Sequence, residues 1–220
     1  DVHYLDLADS RVFVAGFDDN VPVSEKAMIR TAGSTVSALS TALADAVEDA
    51  AGPGWGLADV DYFIGVGHQG PRGLGTIRSV LEYCGKKFSA FRDGTADDAT
   101  EIGWGSLSWR GFPGLATPRL VAPVSVPDID AFPMWYPNLR NHRFAASLEL
   151  PVVMAGMRVL AWVRSALSIE SYDRLAPALA AAAKLLSPFG SPDGGMHMRG
   201  TLVDTTGERS ERPFEASLIG

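Results

Sequence analysis

The eighteen-residue stretch VDYFIGVGHQGPRGLGTI, Val60 to Ile77, decides between two folds. An apolar residue stands at every second position from Val60 to Val66, which is the period-two pattern of a strand. Gly65 to Gly70 then matches G-x-G-x-x-G, a motif that binds dinucleotides where a strand leads into a helix. That motif needs its last glycine inside the first helical turn, whereas Pro71-Arg72-Gly73 separates Gly70 from the helical pattern here. We therefore expect a structural or substrate-side loop instead of a pyrophosphate cradle.

Helical patterns flank this stretch on both sides. Leu74 to Cys84 places an apolar residue on one helical face at every third or fourth position, and Gly85 supplies the left-handed residue that ends the helix. Upstream, Val36 to Val47 carries a similar apolar stripe, which Gly52-Pro53 terminates. The sequence therefore predicts a helix before the strand and a helix after the loop.

The rest of the chain alternates between regular and irregular segments. The acidic run Asp93 to Glu101 is expected to be solvated, because its polar residues give a core little to bury. Gly103 to Pro137 is dense in Gly, Pro and Trp, which favours irregular structure. The periodicity predicts strands at Lys87 to Phe91, Arg119 to Val126 and Phe144 to Leu150, helices at Leu150 to Leu167 and Tyr172 to Leu186, and a hairpin of Met196 to Asp204 with Pro213 to Ile219.

Strands that cluster away from helices favour an α+β fold over repeated βαβ units. We predict a single domain over residues 1–220, with a mixed, largely antiparallel sheet and helices packed mainly on one face. Both ends read as cut. Asp1 leads into a strand already in progress, and Phe214 to Ile219 stops in apolar sequence without a terminal cap.

Composition excludes several classes of protein. The formal net charge of -7 argues against a nucleic-acid groove, because a phosphate backbone needs a concentrated basic face. The single cysteine, Cys84, rules out an internal disulfide framework and fits a reducing compartment. No secretory signal opens the chain. We predict a cytoplasmic protein in which Cys84 is an inert buried thiol.

Leu150 to Leu167 is the one segment apolar enough to suggest a membrane span. It contains Arg158 and Arg164, whose charges would be costly in lipid. We therefore expect a helix packed on a sheet or at a subunit interface, and we do not expect membrane association.

Two sets of basic residues are candidates for binding an anionic substrate group. Arg72 stands just ahead of a helix N-terminus, where the guanidinium and the helix dipole both favour an anion; a structural salt bridge is the alternative. His142 and Arg143 lie beside Arg140 in a small basic cluster suited to a carboxylate. A solvated turn between two elements is the alternative for that cluster.

Gly33-Ser34-Thr35 opens the first predicted helix, so its backbone N–H groups and hydroxyls suit an anionic group or a cofactor edge. Plain N-capping explains the same residues. None of the four histidines has metal-ligand spacing to another ligand, and no metal site is predicted. The chain contains no G-x-S-x-G elbow, which disfavours a serine hydrolase.

Five ordered segments resemble bacterial saccharopine dehydrogenase-like oxidoreductases, and together they cover nearly the whole chain. They are HYLDLAD at His3 to Asp9, GSTVSALS at Gly33 to Ser40, PRGLGTI at Pro71 to Ile77, VPD at Val126 to Asp128, and FGSPDGGM at Phe189 to Met196. The chain departs from the family at Ser37, where a proline is usual, and in the segment before Gly33.

The resemblance implies a two-domain enzyme that transfers hydride between NAD or NADP and a small carbonyl, imine or amine substrate, the cofactor supplying the chemistry. The nucleotide-binding domain is expected upstream of Asp1. This chain would then be the substrate-side and dimerisation domain, inactive alone, without a bound cofactor of its own and paired as a homodimer.

In that picture Gly33, Ser34 and Thr35 face the cofactor, while Arg72 and Arg119 orient an anionic substrate. No general acid or base is assigned. The competing hypothesis is a non-catalytic small-molecule or lipid-binding dimerisation module, which the apolar segment Leu150 to Leu167 motivates.

Overall fold

The computed structural model describes residues 4–5, 11, 28–29, 35–115, 117–206 and 210–220, with the backbone alone at 4–5, 28–29, 35 and 97–99. Its α-helices are α1 (Thr35–Ala51), α2 (Leu74–Tyr83), α3 (Asp128–Trp135), α4 (Pro151–Leu167) and α5 (Ala176–Leu186). Its strands are β1 (Tyr4–Leu5), β2 (Met28–Ile29), β3 (Trp55–Gly65), β4 (Lys87–Arg92), β5 (Thr95–Ile102), β6 (Ser108–Arg110), β7 (Arg119–Pro123), β8 (Asn141–Ser147), β9 (Gly195–Asp204) and β10 (Glu211–Ile219).

The main sheet has the strand order β10-β9-β3-β8-β4-β5, and it forks at β8, which also pairs with β7. Within it, β3 and β8 run parallel, and the other pairings are antiparallel. β1 and β2 form a separate parallel pair. The predicted mixed, largely antiparallel sheet is confirmed.

The described helices pack on one face of this sheet. Val60 and Tyr62 of β3 point to that face and meet α1 and α3 in an apolar cluster. α2, α4 and α5 cover the other end of the same face around Ala122 and Met154. Each large apolar side chain fully buried here contributes about 1.5–3 kcal/mol to stability. The predicted one-sided arrangement of helices follows from this continuous apolar surface.

The opposite face is more open and more polar. A small cluster of Phe63, Phe112, Val121 and Ala145 covers part of it. Beyond that cluster, Asp61 forms ion pairs with neighbouring arginines, at 2.9 Å to Arg110 and 3.1 Å to Arg199. This face therefore alternates between an apolar patch and solvated ion pairs.

Several local predictions are confirmed. Helices α1, α2 and α4 occupy the predicted segments, β9 and β10 form the predicted hairpin, and Gly85 has a φ of +77° at the end of α2. The Cys84 thiol is buried, and burial raises its pKa to about 11, as suits an unreactive thiol. Among the residues that the structure describes, no helix is long and apolar enough to cross a bilayer.

Other local predictions were incomplete or wrong. The acidic run is exposed at Asp93 to Ala96, as expected, but most of it forms strand β5, whose backbone pairs with β4. The segment 103–137, expected to be irregular, contains α3, with Pro127 before its first residue and Pro133 inside it. Strand β8 begins at Asn141, three residues earlier than predicted. Helix α5 begins at Ala176, four residues later than predicted, and Leu175 before it lies in a 3-10 turn and is exposed.

Candidate functional site

The carboxyl ends of β3 and β8 meet at one edge of the sheet because these two strands are parallel. The chain leaves β3 at Gly65 and β8 at Ser147, and the backbone N–H of Val66 donates to the Ser147 carbonyl at 3.3 Å. The segment that leads into β9 joins them, since the Gln69 N–H donates to the Ser191 carbonyl at 3.0 Å. Three loops thus converge on one point, the arrangement in which α/β proteins commonly bind ligands.

Glu149 holds these loops together. Its carboxylate accepts the backbone N–H groups of His68 and Ser191, the latter at 3.0 Å, and the Ser191 hydroxyl at 2.7 Å. The Arg119 guanidinium lies 2.9 Å away. We call Glu149, His68, Arg72, Arg119 and Ser191 the Glu149 cluster.

The backbone of Glu149 is itself unusual, with a φ of +62°. A side chain in this left-handed region costs free energy that a glycine would not, so surrounding contacts must hold it there. Burial raises the pKa of the Glu149 carboxyl, but the Ser191 hydrogen bonds, the His68 N–H and the charge of Arg119 outweigh this and lower the pKa overall. Glu149 is therefore a fixed carboxylate anion.

Arg72 lies at the rim of the cluster and is half-buried. Its guanidinium donates to the Gly67 carbonyl at 2.8 Å and contacts His68 Nδ1 at 3.0 Å. His68 Nε2 lies 2.9 Å from the Ala183 carbonyl, which only accepts, so Nε2 carries the proton and Nδ1 accepts from Arg72. Burial lowers the pKa of Arg72, and the charge of Glu149 partly opposes that effect.

Arg119 is deeper than Arg72. It is 5% exposed at the start of β7, and its Nε is buried without a hydrogen-bond partner in the described structure. The structure therefore places Arg119 against Glu149 and Arg72 on the loop whose His68 N–H that carboxylate accepts, so the two arginines predicted to orient a substrate anion lie on neighbouring segments. It gives Arg119 an internal ion pair and leaves Arg72 at the surface.

A second buried carboxylate, Asp128, lies at the start of α3 and is 1% exposed. Tyr62 of β3 and Ser40 of α1 donate their hydroxyls to it at 2.6 and 2.5 Å, and Ser37 donates a third. These bonds fasten the first turns of α1 to the sheet. Burial raises the pKa of Tyr62 well above its ordinary value, and the Asp128 charge adds to this effect, so the phenol remains a hydrogen-bond donor.

Gly33 and Ser34, two of the three residues predicted to face a cofactor, lie outside the described residues. Thr35 is the first residue of α1. The Asp128 contacts to Ser37 and Ser40 follow directly after it. The structure thus shows how the helix behind the predicted cofactor-facing segment is anchored.

His142 and Arg143, the other predicted substrate-binding residues, point to opposite faces of β8. His142 is buried against the rings of Tyr62 and Phe132, with centroids 5.3 and 4.8 Å away, and neither ring nitrogen has a hydrogen-bond partner in the described structure. Burial, with a smaller contribution from the charge of Arg11, lowers the pKa of His142 to about 3. The alternative of a solvated turn at His142 is wrong, because the residue lies inside a strand.

Arg143 is exposed on the open face, 3.9 Å from Glu101. His142 lies five positions before Ser147, the last residue of β8, a distance of about 17 Å along a strand. The structure therefore does not bring His142 and Arg143 together with Arg72 and Arg119.

No family model and no curated protein matches this sequence. Among solved structures, the chain is similar to apo histidine-tagged saccharopine dehydrogenase (L-Glu forming) from Saccharomyces cerevisiae, with 11% identity and a TM-score of 0.50. The match covers 88% of this chain and 59% of that chain. The chain thus spans less than two thirds of this neighbour's length. At this identity the likeness is one of fold alone.

The glycine-rich loop Gly65 to Gly70 does not fit a dinucleotide. A Cβ added at Gly67 would lie 2.5 Å from the Pro192 carbonyl and 2.6 Å from the Ser191 carbonyl, so protein backbone fills the space that a pyrophosphate would need. Helix α2 begins only at Leu74. Gly67 allows the loop after β3 to lie close to the backbone of Ser191 and Pro192. No step of a reaction is therefore assigned to a nucleotide bound at this loop.

Sequence reasoning missed Glu149 and gave Asp128 no role. Asp128 stands in the VPD segment directly before a run that proved helical, and an acidic residue at a helix start is a detectable signal. Glu149 stands between the apolar residues Leu148 and Leu150, where only its tertiary contacts mark it out.

Proposed function

We propose that this chain is the substrate-side and dimerisation domain of a saccharopine dehydrogenase-like oxidoreductase, which transfers hydride between NAD or NADP and a small carbonyl, imine or amine substrate. The observation that carries the proposal is the dehydrogenase-like fold over 88% of the chain. The chain spans 59% of that neighbour, which leaves room in the proposal for a nucleotide-binding domain outside these 220 residues.

Within this proposal, Arg72 makes the direct contact with an anionic group of the substrate. Its bonds to Gly67 and His68 fix the guanidinium while using two of its five N–H donors. The first turn of α2 follows immediately, and the space around Gly73 and Gly75 is open. Backbone N–H groups at a helix start add to the attraction for an anion.

Arg119 acts through Glu149 in this arrangement. Their ion pair fixes the loop after β8 against the loop that carries Arg72. A rigid supporting shell of this kind keeps a binding arginine in one orientation. The cofactor contacts are assigned to Gly33, Ser34 and Thr35 together with the second domain, and the isolated chain is proposed to be inactive.

The cofactor part of the proposal is tested by titrating NADH and NADPH into the 220-residue chain and following nicotinamide fluorescence. We expect no saturation below about 1 mM, because a complete pyrophosphate cradle belongs to the other domain. Saturable binding in the micromolar range would contradict the division of labour proposed here.

The substrate part is tested by calorimetric titration of L-glutamate, a small dicarboxylate that forms part of the yeast neighbour's name. We expect weak binding that falls about tenfold or more in Arg72→Met, since a charge-assisted bidentate contact is lost. Arg78→Met is the control, an exposed arginine on α2, the helix that begins two residues after Arg72. Equal affinity in the wild type and Arg72→Met, or equal losses in both variants, would remove Arg72 from the substrate site.

The competing hypothesis of a small-molecule or lipid-binding module rests on the exposed apolar residues of α4. Val152, Val159 and Trp162 are exposed on the outer side of this helix. Mass spectrometry of small molecules that remain with the purified chain tests it directly. A lipid carried in stoichiometric amount would favour this hypothesis over the oxidoreductase domain.

A further inference from the structure

Helix α4 presents an apolar face to solvent. Its inner side buries Met154, Met157, Ala161 and Arg164 against the sheet and neighbouring helices. Its outer side leaves Val152 65% exposed, Val159 58% exposed and Trp162 70% exposed. These residues, with the exposed Ala155 and Gly156 between them and the exposed Ala166 one turn beyond Trp162, recur at helical spacing and form what we call the outer stripe. A contiguous apolar stripe of this kind on a protein surface marks an interaction site.

The outer stripe carries no charge. Neither arginine of α4 belongs to it: Arg164 is buried and donates to the carbonyls of Leu81 and Cys84, and Arg158, which is exposed beside it, donates to the Gly105 carbonyl. Burying the stripe against another protein would therefore leave no unpaired charge in the contact. A partner that also lacks charge at its centre fits this surface.

The stripe is complementary to itself under a two-fold axis. If two copies of α4 pack antiparallel with Val159 opposite Val159, residues whose numbers sum to 318 face each other. Trp162 then lies opposite Gly156, where the structure has open space around the missing Cβ. Val152 lies opposite Ala166. A large side chain thus meets a notch at two symmetric positions, as an isologous interface requires.

We propose that the outer stripe of α4 is a homodimer interface, formed with α4 of a second copy of this chain across a two-fold axis at Val159. This assigns a surface to the pairing role within the proposed function. It depends on no cofactor or substrate, so it stands or falls separately from the oxidoreductase assignment.

The size of the helix sets the strength expected of this dimer. A helix of 17 residues is about 25 Å long, so one pair of helices buries less than the area typical of a permanent dimer. Small interfaces of this kind are weak, and we expect dissociation in the micromolar range. Measurement over a wide range of protein concentration is therefore essential.

Sedimentation equilibrium of the wild type and of charge variants tests the interface. Val159→Arg and Val159→Glu each place two like charges at the two-fold axis, and each should weaken the dimer about a hundredfold or more. An equimolar mixture of the two variants should dimerise again, because opposite charges then face each other. Leu185→Arg is the matched control, since Leu185 is 78% exposed on α5 and should leave the dimer unchanged.

Each result has a definite meaning. A wild type that stays monomeric to millimolar concentration would overturn the proposal. So would a dimer that both Val159 variants leave intact while circular dichroism shows them folded. Restored pairing in the mixture supports the axis at Val159 directly, because unfolding of either variant cannot produce it.

Disulfide crosslinking provides a second measurement. In Val159→Cys, oxidation by dioxygen with copper-phenanthroline should remove two electrons and two protons from a pair of facing thiols and form one disulfide across the axis. The reaction in Leu185→Cys should be far slower, and Cys84 is buried in both variants. Equal crosslinking of the two variants would overturn the proposed axis.

Flotation with vesicles of equal parts phosphatidylcholine and phosphatidylglycerol tests the alternative that the outer stripe binds a lipid surface. We expect the wild type not to float with the vesicles. Flotation that Trp162→Ala abolishes, in a chain that remains monomeric in solution, would assign the outer stripe to a lipid surface and overturn the dimer.

Discussion

The molecule buries two carboxylates in different ways. Asp128, on the helix-covered face, is held by the hydroxyls of Tyr62, Ser37 and Ser40. Glu149, at the carboxyl ends of the parallel strands, is held by backbone N–H groups, a serine hydroxyl and the cation of Arg119. The donors that hold Asp128 come from regular helices and a strand, whereas most of those that hold Glu149 come from loops.

This difference shows what each acid does in the fold. The hydroxyls that donate to Asp128 lie on elements that the apolar core already fixes, so the carboxylate adds polar bonds to packing that is already in place. The Glu149 donors lie on segments with little core of their own, so the carboxylate creates their arrangement. We therefore expect substitutions at Asp128 to affect global stability and those at Glu149 to affect local order as well.

The largest expected effect comes from Asp128→Ala. Removing this charged acceptor takes away three buried hydrogen bonds, and a hydrogen bond to a charged group contributes about 1.5–3 kcal/mol, so we expect a loss on the order of 4 kcal/mol in the free energy of unfolding. Urea denaturation measures it. Asp49→Ala, at an exposed aspartate on α1, should change stability by less than about 0.5 kcal/mol. Equal effects of the two variants would break the comparison.

Glu149→Gln is expected to cost about 3 kcal/mol, because it leaves Arg119 as a buried cation without its partner. The double variant Arg119→Met with Glu149→Gln should recover at least about 1 kcal/mol of that loss. Arg92→Met is the control. It breaks an exposed pair with Glu101 and should cost less than about 1 kcal/mol. Additive effects at Arg119 and Glu149 in a double-mutant cycle would show that the ion pair contributes nothing.

Gly67→Ala sharpens the Glu149 side of the comparison. The added Cβ would meet backbone atoms of Ser191 and Pro192, which cannot rotate away, so we expect a loss of about 2 kcal/mol and faster hydrogen exchange in the three loops. Gly75→Ala is the matched control within α2, where the space is open and alanine should stabilise the helix by about 0.5–1 kcal/mol. Normal exchange rates in folded Gly67→Ala would contradict the close approach of these loops.

Lowering the pH distinguishes the two regions, because His142 on the helix-covered face and Glu149 at the loops titrate over different pH ranges. Because burial sets the pKa of folded His142 at about 3, below the ordinary 6.5, the unfolded chain takes up the proton first as the pH falls. The contribution of neutral His142 to the free energy of unfolding is complete above about pH 6.5 and is lost as the pH falls toward 3. Glu149 also has a lowered pKa, so its contribution is lost only below about pH 4.5.

In the wild type, we expect titration of His142 to lower the free energy of unfolding by about 2 kcal/mol between pH 6.5 and pH 5, at about 1.4 kcal/mol per pH unit. This loss should be absent in His142→Phe. Thermal denaturation at several pH values measures this, with Glu149→Gln as the control that should keep the wild-type slope in this window. A slope in His142→Phe equal to that of the wild type would mean that His142 titrates normally.

The prediction of helices and strands was correct where apolar residues recur at a regular spacing along the element. Helices α1 and α4 and the β9–β10 hairpin carry their own periodic apolar pattern. Strand β5 was missed because its acidic residues describe a solvated surface, while its backbone bonds come from β4. Helix α3 was missed because Pro133 and its glycine- and proline-rich surroundings outweigh a short apolar pattern.

The candidate site was harder to predict. Arg72 follows a glycine-rich loop before a helix, which is a local signal, and the structure places it at the rim where loops converge. His142 sits beside two arginines in the sequence, which suggests a basic cluster, but alternation along β8 sends it into the core and Arg143 to the other face. The side chains of adjacent residues in a strand point to opposite faces of the sheet.

The sequence by itself determined the α+β class, the principal helices and the closing hairpin, because periodicity and turn residues act over a few positions. Only the tertiary structure decided that β3 and β8 run parallel, that Glu149 joins three loops, and that Asp128 anchors α1. The physical reason is distance along the chain. Glu149 and its partners lie between 30 and 81 positions apart, as with Arg119 and His68, so no local pattern in the sequence marks these contacts.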